Sequence, residues 1–201
     1  MTETPEPEAL RANESISLGS AGLEYQCVEI GRLVVCSGRI LSCSPESVGT
    51  PEEKDSEIEA DIPCGEHPIT LAIRGSGDDR RAGLACLRWS DQDVVEWSSA
   101  RTPAYCEHAY QDGLLDREGS GQFLALLEQD EQAICDRICA EIDESSGGSA
   151  EGCGWTTIVL EPSTGLNYVI YRSGLEKGCT ASYLGKDAYG RPICLTNVYG
   201  V

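Results

Sequence analysis

The strongest strand pattern in this chain is Trp155-Thr-Thr-Ile-Val-Leu-Glu-Pro-Ser-Thr-Gly-Leu-Asn-Tyr-Val-Ile-Tyr171. Two runs of β-branched and aromatic residues, 155–160 and 166–171, favour extended structure. Between them, Pro162 fixes one backbone angle and Gly165 accepts a positive φ, as a tight turn requires. The stretch therefore predicts a β-hairpin.

A second hairpin is predicted downstream of the first. Residues 180–186 and 193–199 are strand-like, and they flank Asp187-Ala-Tyr-Gly190. The Asp187 side chain can hydrogen-bond back to the turn backbone, and Gly190 can close the turn. The last third of the chain is therefore predicted to be β-rich.

Strand-like runs also occupy the first half of the chain. Residues 39–43 follow a Ser37-Gly38 turn, which predicts a tight N-terminal hairpin. Residues 81–89 return from a turn at 75–79 and are apolar on both faces, a pattern typical of the buried centre of a sheet. The full set of predicted strands in this half is 25–30, 33–36, 39–43, 69–73, 81–89 and 94–97.

One amphipathic helix is predicted at residues 120–144. Apolar residues recur there at spacings of four and seven, while acidic residues occupy the other positions. The apolar stripe consists of Phe123, Leu127, Ile134, Ile138 and Ile142. The predicted fold class is α+β: predominantly antiparallel β-sheet with one main helix.

The strands are expected to form one mostly antiparallel sheet. In this arrangement the hairpins 155–171 and 180–199 share a sheet with strands 31–43 and 69–89. The alternative is that the N-terminal strands form a second small sheet. The chain length of 201 residues fits one domain, residues 21–201, preceded by a disordered acidic tail, residues 1–20.

The net charge of −19 disfavours binding to nucleic acid or to anionic membrane surfaces, because both would repel the protein. A basic protein partner is compatible with this charge. The sequence has no apolar run approaching the roughly 20 residues of a membrane span, and its acidic start is unlike a signal peptide. We therefore expect a cytoplasmic location. The composition favours no oligomeric state.

Eleven cysteines are spread through the chain. Their odd number and their positions in apolar runs predict that most are reduced and buried, acting as small hydrophobes. Cys135 and Cys139 lie four residues apart beside the apolar stripe of the helix, so both are expected in the core.

The two histidines each follow a cysteine closely, as Cys64-Gly-Glu-His67 and Cys106-Glu-His108. Thiolates and imidazoles are ligands for tetrahedral zinc, and the same residues could form a nucleophile and its base. Against zinc, structural sites usually carry paired knuckles in both halves. The chain also lacks a Walker loop, a dinucleotide fingerprint, His-Glu-x-x-His and Gly-x-Ser-x-Gly. We therefore predict no catalytic residue and no cofactor, with zinc as the alternative.

Acidic side chains provide the candidate binding surface. Residues 50–61 hold six acidic residues against Lys54, and such a block is expected to repel itself into an exposed loop. On the helix, Glu128, Glu131 and Asp136 lie outside the apolar stripe. A basic partner would bind this loop and this side of the helix.

Several short motifs resemble an uncharacterised and mainly bacterial family, domain of unknown function 4241. They are Leu33-Val-Val-Cys-Ser-Gly-Arg39, Cys43-Ser-Pro45, Pro63-Cys-Gly-Glu-His-Pro68, Arg81–Trp89, Val95-Glu-Trp97, Glu161-Pro-Ser-Thr-Gly165 and Tyr183-Leu-Gly-Lys-Asp-Ala-Tyr-Gly-Arg191. Cys64 and His67 stand where the family pattern has Pro and Tyr, and Lys177 stands where it has Asp. The resemblance implies a β-rich α+β fold without an established activity. The matched polar residues Arg39, Asp187 and Arg191 are candidate site residues.

These observations favour a cytoplasmic protein-binding module, such as an immunity or inhibitor protein that caps a basic partner. The alternative is a hydrolase or transferase with a Cys/His or zinc site.

Overall fold

The computed structural model describes residues 25–58, 60–74, 80–106, 111–147, 152–173 and 178–199. The predicted tail 1–20 and the predicted turn 75–79 lie outside these ranges. The elements are β1 Tyr25–Val35, β2 Ile40–Ser42, β3 Gly65–Arg74, β4 Arg81–Arg88, β5 Glu96–Cys106, β6 Gln111–Asp116, α1 Gly119–Ser145, β7 Trp155–Glu161, β8 Leu166–Arg172, β9 Gly178–Lys186 and β10 Pro192–Tyr199. The predicted fold class, α+β with mostly antiparallel sheet and one main helix, is confirmed.

The strands form a six-stranded sheet with the order β1-β3-β4-β10-β9-β5 and a four-stranded sheet with the order β2-β6-β8-β7. Every pairing is antiparallel. Strand β4 lies between β3 and β10, and all its residues except the two at its ends are buried. The prediction that residues 81–89 lie at the buried centre of a sheet is confirmed.

Both C-terminal hairpins are confirmed. Strands β7 and β8 pair around a turn in which Gly165 has a φ of +77° and its N–H donates to the carbonyl of Glu161 at 2.9 Å. Strands β9 and β10 pair around the Asp187 turn, where the N–H of Gly190 donates to the carbonyl of Asp187 at 2.9 Å.

Two predictions about strand pairing are wrong. The hairpins do not share a sheet, because β7–β8 belongs to the four-stranded sheet and β9–β10 to the six-stranded one. The N-terminal strands do not form a hairpin either, because β1 pairs with β3 while β2 pairs with β6. Gly38, with a φ of +76°, lies in the connection that carries the chain from one sheet to the other.

The fold has three layers, and β8 belongs to the middle one. Val169 and Tyr171 of β8 pack in the core shared with the six-stranded sheet, whereas Tyr168 and Ile170 pack in the core beneath the helix. Successive side chains of a strand point to opposite faces. One strand therefore buries apolar side chains on both faces.

The predicted helix is confirmed as α1, with a kink at Asp130 (φ −163°, ψ 83°). A carboxylate oxygen of Asp130 accepts a hydrogen bond from the N–H of Ala133 at 3.1 Å, so Asp130 caps the second half of the helix. Phe123, Ile138 and Ile142 are buried beneath the helix, and Leu127 and Ile134 are partly buried. Within the described residues, no helix has the length and apolar character required to cross a membrane.

The cysteine prediction holds only in part. The nine cysteines whose side chains the structure describes are thiols rather than disulfides. Five of them, however, are exposed: Cys27, Cys36, Cys64, Cys135 and Cys139. The placement of Cys135 and Cys139 in the core is wrong, because each follows an inward isoleucine and one residue rotates the helix by about 100°.

Candidate functional site

The turn after β1 is organised by Asp116, a fully buried carboxylate at the end of β6. One of its oxygens accepts hydrogen bonds from the N–H groups of Cys36 and Ser37 at 2.8 and 2.9 Å, and the other accepts from the N–H of Glu118 at 2.8 Å. These hydrogen bonds stabilise a carboxylate that would be costly to bury without partners. As a result, the connection to β2 is fixed against the start of α1.

This turn positions Arg39 beside Glu57, a carboxylate that Arg117 also contacts. A guanidinium nitrogen of Arg39 lies 2.5 Å from a carboxylate oxygen of Glu57. Arg117 lies 2.8 Å from Glu53 and 3.5 Å from Glu57. Glu53 is buried and also accepts the N–H of Gly49 at 2.6 Å. The two arginines therefore neutralise two acidic residues of the segment 50–61.

The prediction of an exposed, self-repelling loop is wrong for part of this segment. Residues Pro51–Ser56 form a 3-10 helix, and Glu53, Ser56 and Ile58 are buried. The expected repulsion is offset because Arg39 and Arg117, which are distant in sequence from Glu53, supply the opposite charge. Glu52, Asp55 and Asp61 remain exposed.

A polar cavity of about 540 Å³ adjoins this cluster. Its lining residues are Arg39, Lys54, Glu57, Ile58, Ala60 and Asp61. Among the predicted binding residues, Arg39 is therefore the one that lines this cavity.

Asp187 and Arg191 are in contact with each other, but their roles differ. The carboxylate of Asp187 accepts hydrogen bonds from the N–H groups of Tyr189 and Arg191 at 2.8 and 3.0 Å and from the Arg191 guanidinium at 2.9 Å. Burial alone would raise the pKa of Asp187, but these hydrogen bonds outweigh burial and lower it. Asp187 is therefore engaged in holding the turn, whereas the Arg191 side chain is exposed and lies over the Tyr189 ring.

Arg39 lies in the connection from β1 to β2 and pairs with Glu57, whereas Asp187 and Arg191 pair with each other in the β9–β10 turn. Among the ion pairs of the described residues, none joins Arg39 to that turn.

A buried polar network between the two sheets was not predicted. The hydroxyl of Tyr199 donates to Asp112 at 2.8 Å, the hydroxyls of Tyr171 and Tyr199 are hydrogen-bonded at 2.8 Å, and the Asn197 amide donates to Tyr171 at 3.3 Å. Burial, followed by the nearby charge of Asp112, raises the pKa of Tyr199. These residues come from β6, β8 and β10, so no local sequence motif marks the network.

The predicted residues Glu128, Glu131 and Asp136 are exposed on α1. The segment after β2 packs against α1, because Val48 lies in the same buried cluster as Phe123 and Ile138. Partial burial raises the pKa of Cys135, and the charges of Glu131, Asp136 and Glu46 raise it further. We define the acidic face as Glu46, Glu128, Glu131 and Asp136.

The four residues of the alternative zinc site are only partly described. The thiol of Cys64 donates to the carbonyl of Cys36 at 3.0 Å, and Nε2 of His67 is 2.6 Å from the carbonyl of Pro63, to which it donates. The side chain of Cys106 and all of His108 lie outside the described residues. Within the ranges the structure describes, no three side chains of the metal-binding types cluster.

Searches of protein-family models, curated proteins and solved structures find no match to this chain. The resemblance to domain of unknown function 4241 therefore stays a prediction.

Proposed function

We propose that this chain is a protein-binding module that caps a basic partner with its acidic face. The observation that carries the proposal is that the segment after β2, which holds Glu46, packs against α1, where Val48 shares a buried cluster with Phe123 and Ile138. In agreement with this packing, the charges of Glu131, Asp136 and Glu46 all raise the pKa of Cys135. Carboxylates from two separate elements therefore contribute to one surface, as capping a partner requires.

The acidic residues of this region fall into two groups with different ion pairing, and this difference supports the proposal. Glu53 and Glu57 pair with Arg117 and Arg39, so they anchor the segment rather than attract a partner. In the described part of the chain, the four residues of the acidic face form no ion pair. Their uncompensated charge can steer a basic protein during encounter.

The composition of α1 also supports a negatively charged binding surface. The range Gly119–Ser145 contains seven acidic residues and one arginine, Arg137. That arginine pairs with Glu141, on the side of the helix where Glu141 also bonds Thr156 of β7. The single arginine of α1 is therefore paired on the side of the helix that lies next to β7. An immunity or inhibitor protein that covers a basic surface would use an arrangement of this kind.

The test compares two variants with equal charge changes. Glu128, Glu131 and Asp136 are replaced by Lys in one. In the other, Lys replaces the exposed Asp91 and Asp93 of the β4–β5 connection and the exposed Glu96 at the start of β5. The probe is a fluorescent peptide of alternating lysine and serine, and its association rate and Kd are measured at increasing salt. We expect association with the acidic-face variant to slow by roughly tenfold and binding to the unchanged protein to weaken with salt.

Two results would overturn the proposal. Equal losses in the two variants would mean that net charge alone attracts the peptide, and binding indifferent to salt would mean that the site lies elsewhere. Both variants should retain their melting temperature, because exposed charges contribute little to folding. A stoichiometric zinc content that disappears in Cys64→Ser would instead favour the hydrolase or transferase alternative.

A further inference from the structure

Two exposed cysteines lie opposite each other just beyond the paired ends of β1 and β3. Val35 pairs with Gly65 as the last position of the ladder. The N–H of Ile62 donates to the carbonyl of Gly38 at 3.0 Å, so the same alignment continues past the strand ends. Cys36 is therefore directly opposite Cys64, and the thiol of Cys64 lies 3.0 Å from the carbonyl oxygen of Cys36.

The spacing fits a disulfide. Residues directly opposite each other in an antiparallel pair have Cα atoms roughly 4.5–5.5 Å apart. A disulfide joins residues whose Cα atoms are roughly 4.4–6.8 Å apart. Cys36 and Cys64 are thiols, and both are exposed. A small reagent can therefore reach either sulfur, and the backbone already holds the two residues at bonding separation.

We propose that Cys36 and Cys64 form a dithiol modification site that reacts with a low-molecular-weight disulfide. In the first step, the Cys64 thiolate attacks one sulfur of the small disulfide, and the other half leaves as a thiolate. In the second step, the Cys36 thiolate attacks the sulfur of Cys64 and expels the second small thiolate. Two protein thiols are oxidised to a disulfide, the reagent is reduced to two thiols, and these take up the two protons.

The surroundings of Cys36 set the order of the two attacks. Partial burial raises the pKa of Cys36, and the charges of Asp116, Glu118 and Cys64 raise it further. Because the thiolate is the nucleophile, Cys36 is suited to be the resolving thiol. Asp116 accepts the N–H of Cys36 and so holds its backbone in place opposite Cys64.

The disulfide would close a loop that contains the segment lining the cavity. All six residues that line the cavity lie between Cys36 and Cys64 in sequence. Glu46 of the acidic face lies there as well. A disulfide at this position would restrain the segment at its two ends, where it leaves β1 and enters β3. The inference does not depend on the identity of any binding partner.

The test treats the native full-length protein with oxidised glutathione and then blocks the remaining thiols with N-ethylmaleimide before tryptic mapping. Cleavage at Arg32, Arg39, Lys54 and Arg74 places Cys36 in peptide 33–39, Cys43 in 40–54 and Cys64 in 55–74. We expect peptides 33–39 and 55–74 to become linked, while 40–54 stays outside the linkage because Cys43 is buried.

Three single substitutions test the assigned roles. Cys36→Ser should lose the linkage and retain glutathione on Cys64, whereas Cys64→Ser should lose the linkage and show little glutathione on Cys36. Cys135→Ser, at an exposed thiol on α1, should leave the linkage unchanged. Separate glutathione adducts on Cys36 and Cys64 of the unsubstituted protein, with no linked peptide, would overturn the proposal. That result does not rely on any variant folding.

Discussion

The phenol of Tyr199 donates a hydrogen bond to the carboxylate of Asp112 at 2.8 Å, across the interface between the two sheets. Tyr199 belongs to β10 of the six-stranded sheet, and Asp112 belongs to β6 of the four-stranded sheet. Both side chains are buried. Polar groups in such surroundings are costly unless they are paired, so the bond favours one relative placement of the two sheets.

We expect Tyr199→Phe to reduce the free energy of unfolding by about 1–3 kcal/mol, because Asp112 and Tyr171 would each lose a buried hydrogen-bond partner. Urea unfolding measures this change. The matched control is Tyr189→Phe, at a side chain with 79% exposure, where we expect a change within about 0.5 kcal/mol. Equal effects in the two variants would show that the network contributes no stability of its own.

The strands and the helix can be predicted from sequence because their patterns are local. The β-branched and aromatic runs within 155–171 and the four-residue spacing of Ile134, Ile138 and Ile142 depend only on neighbours in sequence. The assignment of strands to sheets cannot be predicted in this way, because alternation shows which side chains share a face but not which core that face meets. The continuous apolar run Tyr168–Tyr171 is the pattern expected of a strand buried on both faces.

The candidate site is less accessible to sequence reasoning. The sequence identifies Arg39 but predicts that its partner Glu57 lies in a solvated loop. No local pattern indicates that Arg117 also contacts this segment. Asp112 and Asp116 are buried, and they accept hydrogen bonds from Tyr199 of β10 and from the turn after β1, respectively. Their partners are about 80 residues away in sequence, so no motif connects them.

The ion pair between Arg117 and Glu53 can be measured by a double-mutant cycle with Arg117→Gln and Glu53→Gln. Glu53 is almost fully buried, so we expect a coupling free energy of about 1–3 kcal/mol. The control cycle uses Arg137 and Glu141, an exposed pair four residues apart on α1. We expect about 0.3–0.5 kcal/mol there. Coupling no larger at Arg117 than at Arg137 would contradict an anchoring role for Glu53.

The Asp187 turn should make stability depend on acid pH. The pKa of Asp187 is lowered in the folded protein, so its contribution is present above the unfolded pKa, about 3.9, and disappears as pH falls through the folded value. We expect Asp187→Asn to melt at a lower temperature than the unchanged protein at pH 7, and the difference to shrink below about pH 4. Asp91→Asn, at an exposed side chain, should show no such pH-dependent difference. A constant difference for Asp187→Asn at all pH values would mean that the charge is not the cause.

Thiol protection should divide the described cysteines into two groups. We expect N-ethylmaleimide to label Cys27, Cys36, Cys64, Cys135 and Cys139 in the native protein, because these thiols are exposed. Cys43, Cys86, Cys153 and Cys194 are buried and should react only after denaturation. Burial also raises the pKa of Cys153 to about 11, despite the opposing charges of Arg80 and Arg172. Cys153 is therefore protonated near neutral pH as well as inaccessible.

The distinction between the two causes of protection can be tested by raising the pH of the labelling reaction. Exposed thiols should react faster as pH rises from 7 to about 9, since their thiolate fraction increases. Cys153 should stay unlabelled over this range, because neither its ionisation nor its access changes until the fold opens. Mass spectrometry of the tryptic peptides assigns each label. Native labelling of Cys153 at the same rate as Cys135 would contradict the burial of residue 153 beside β8.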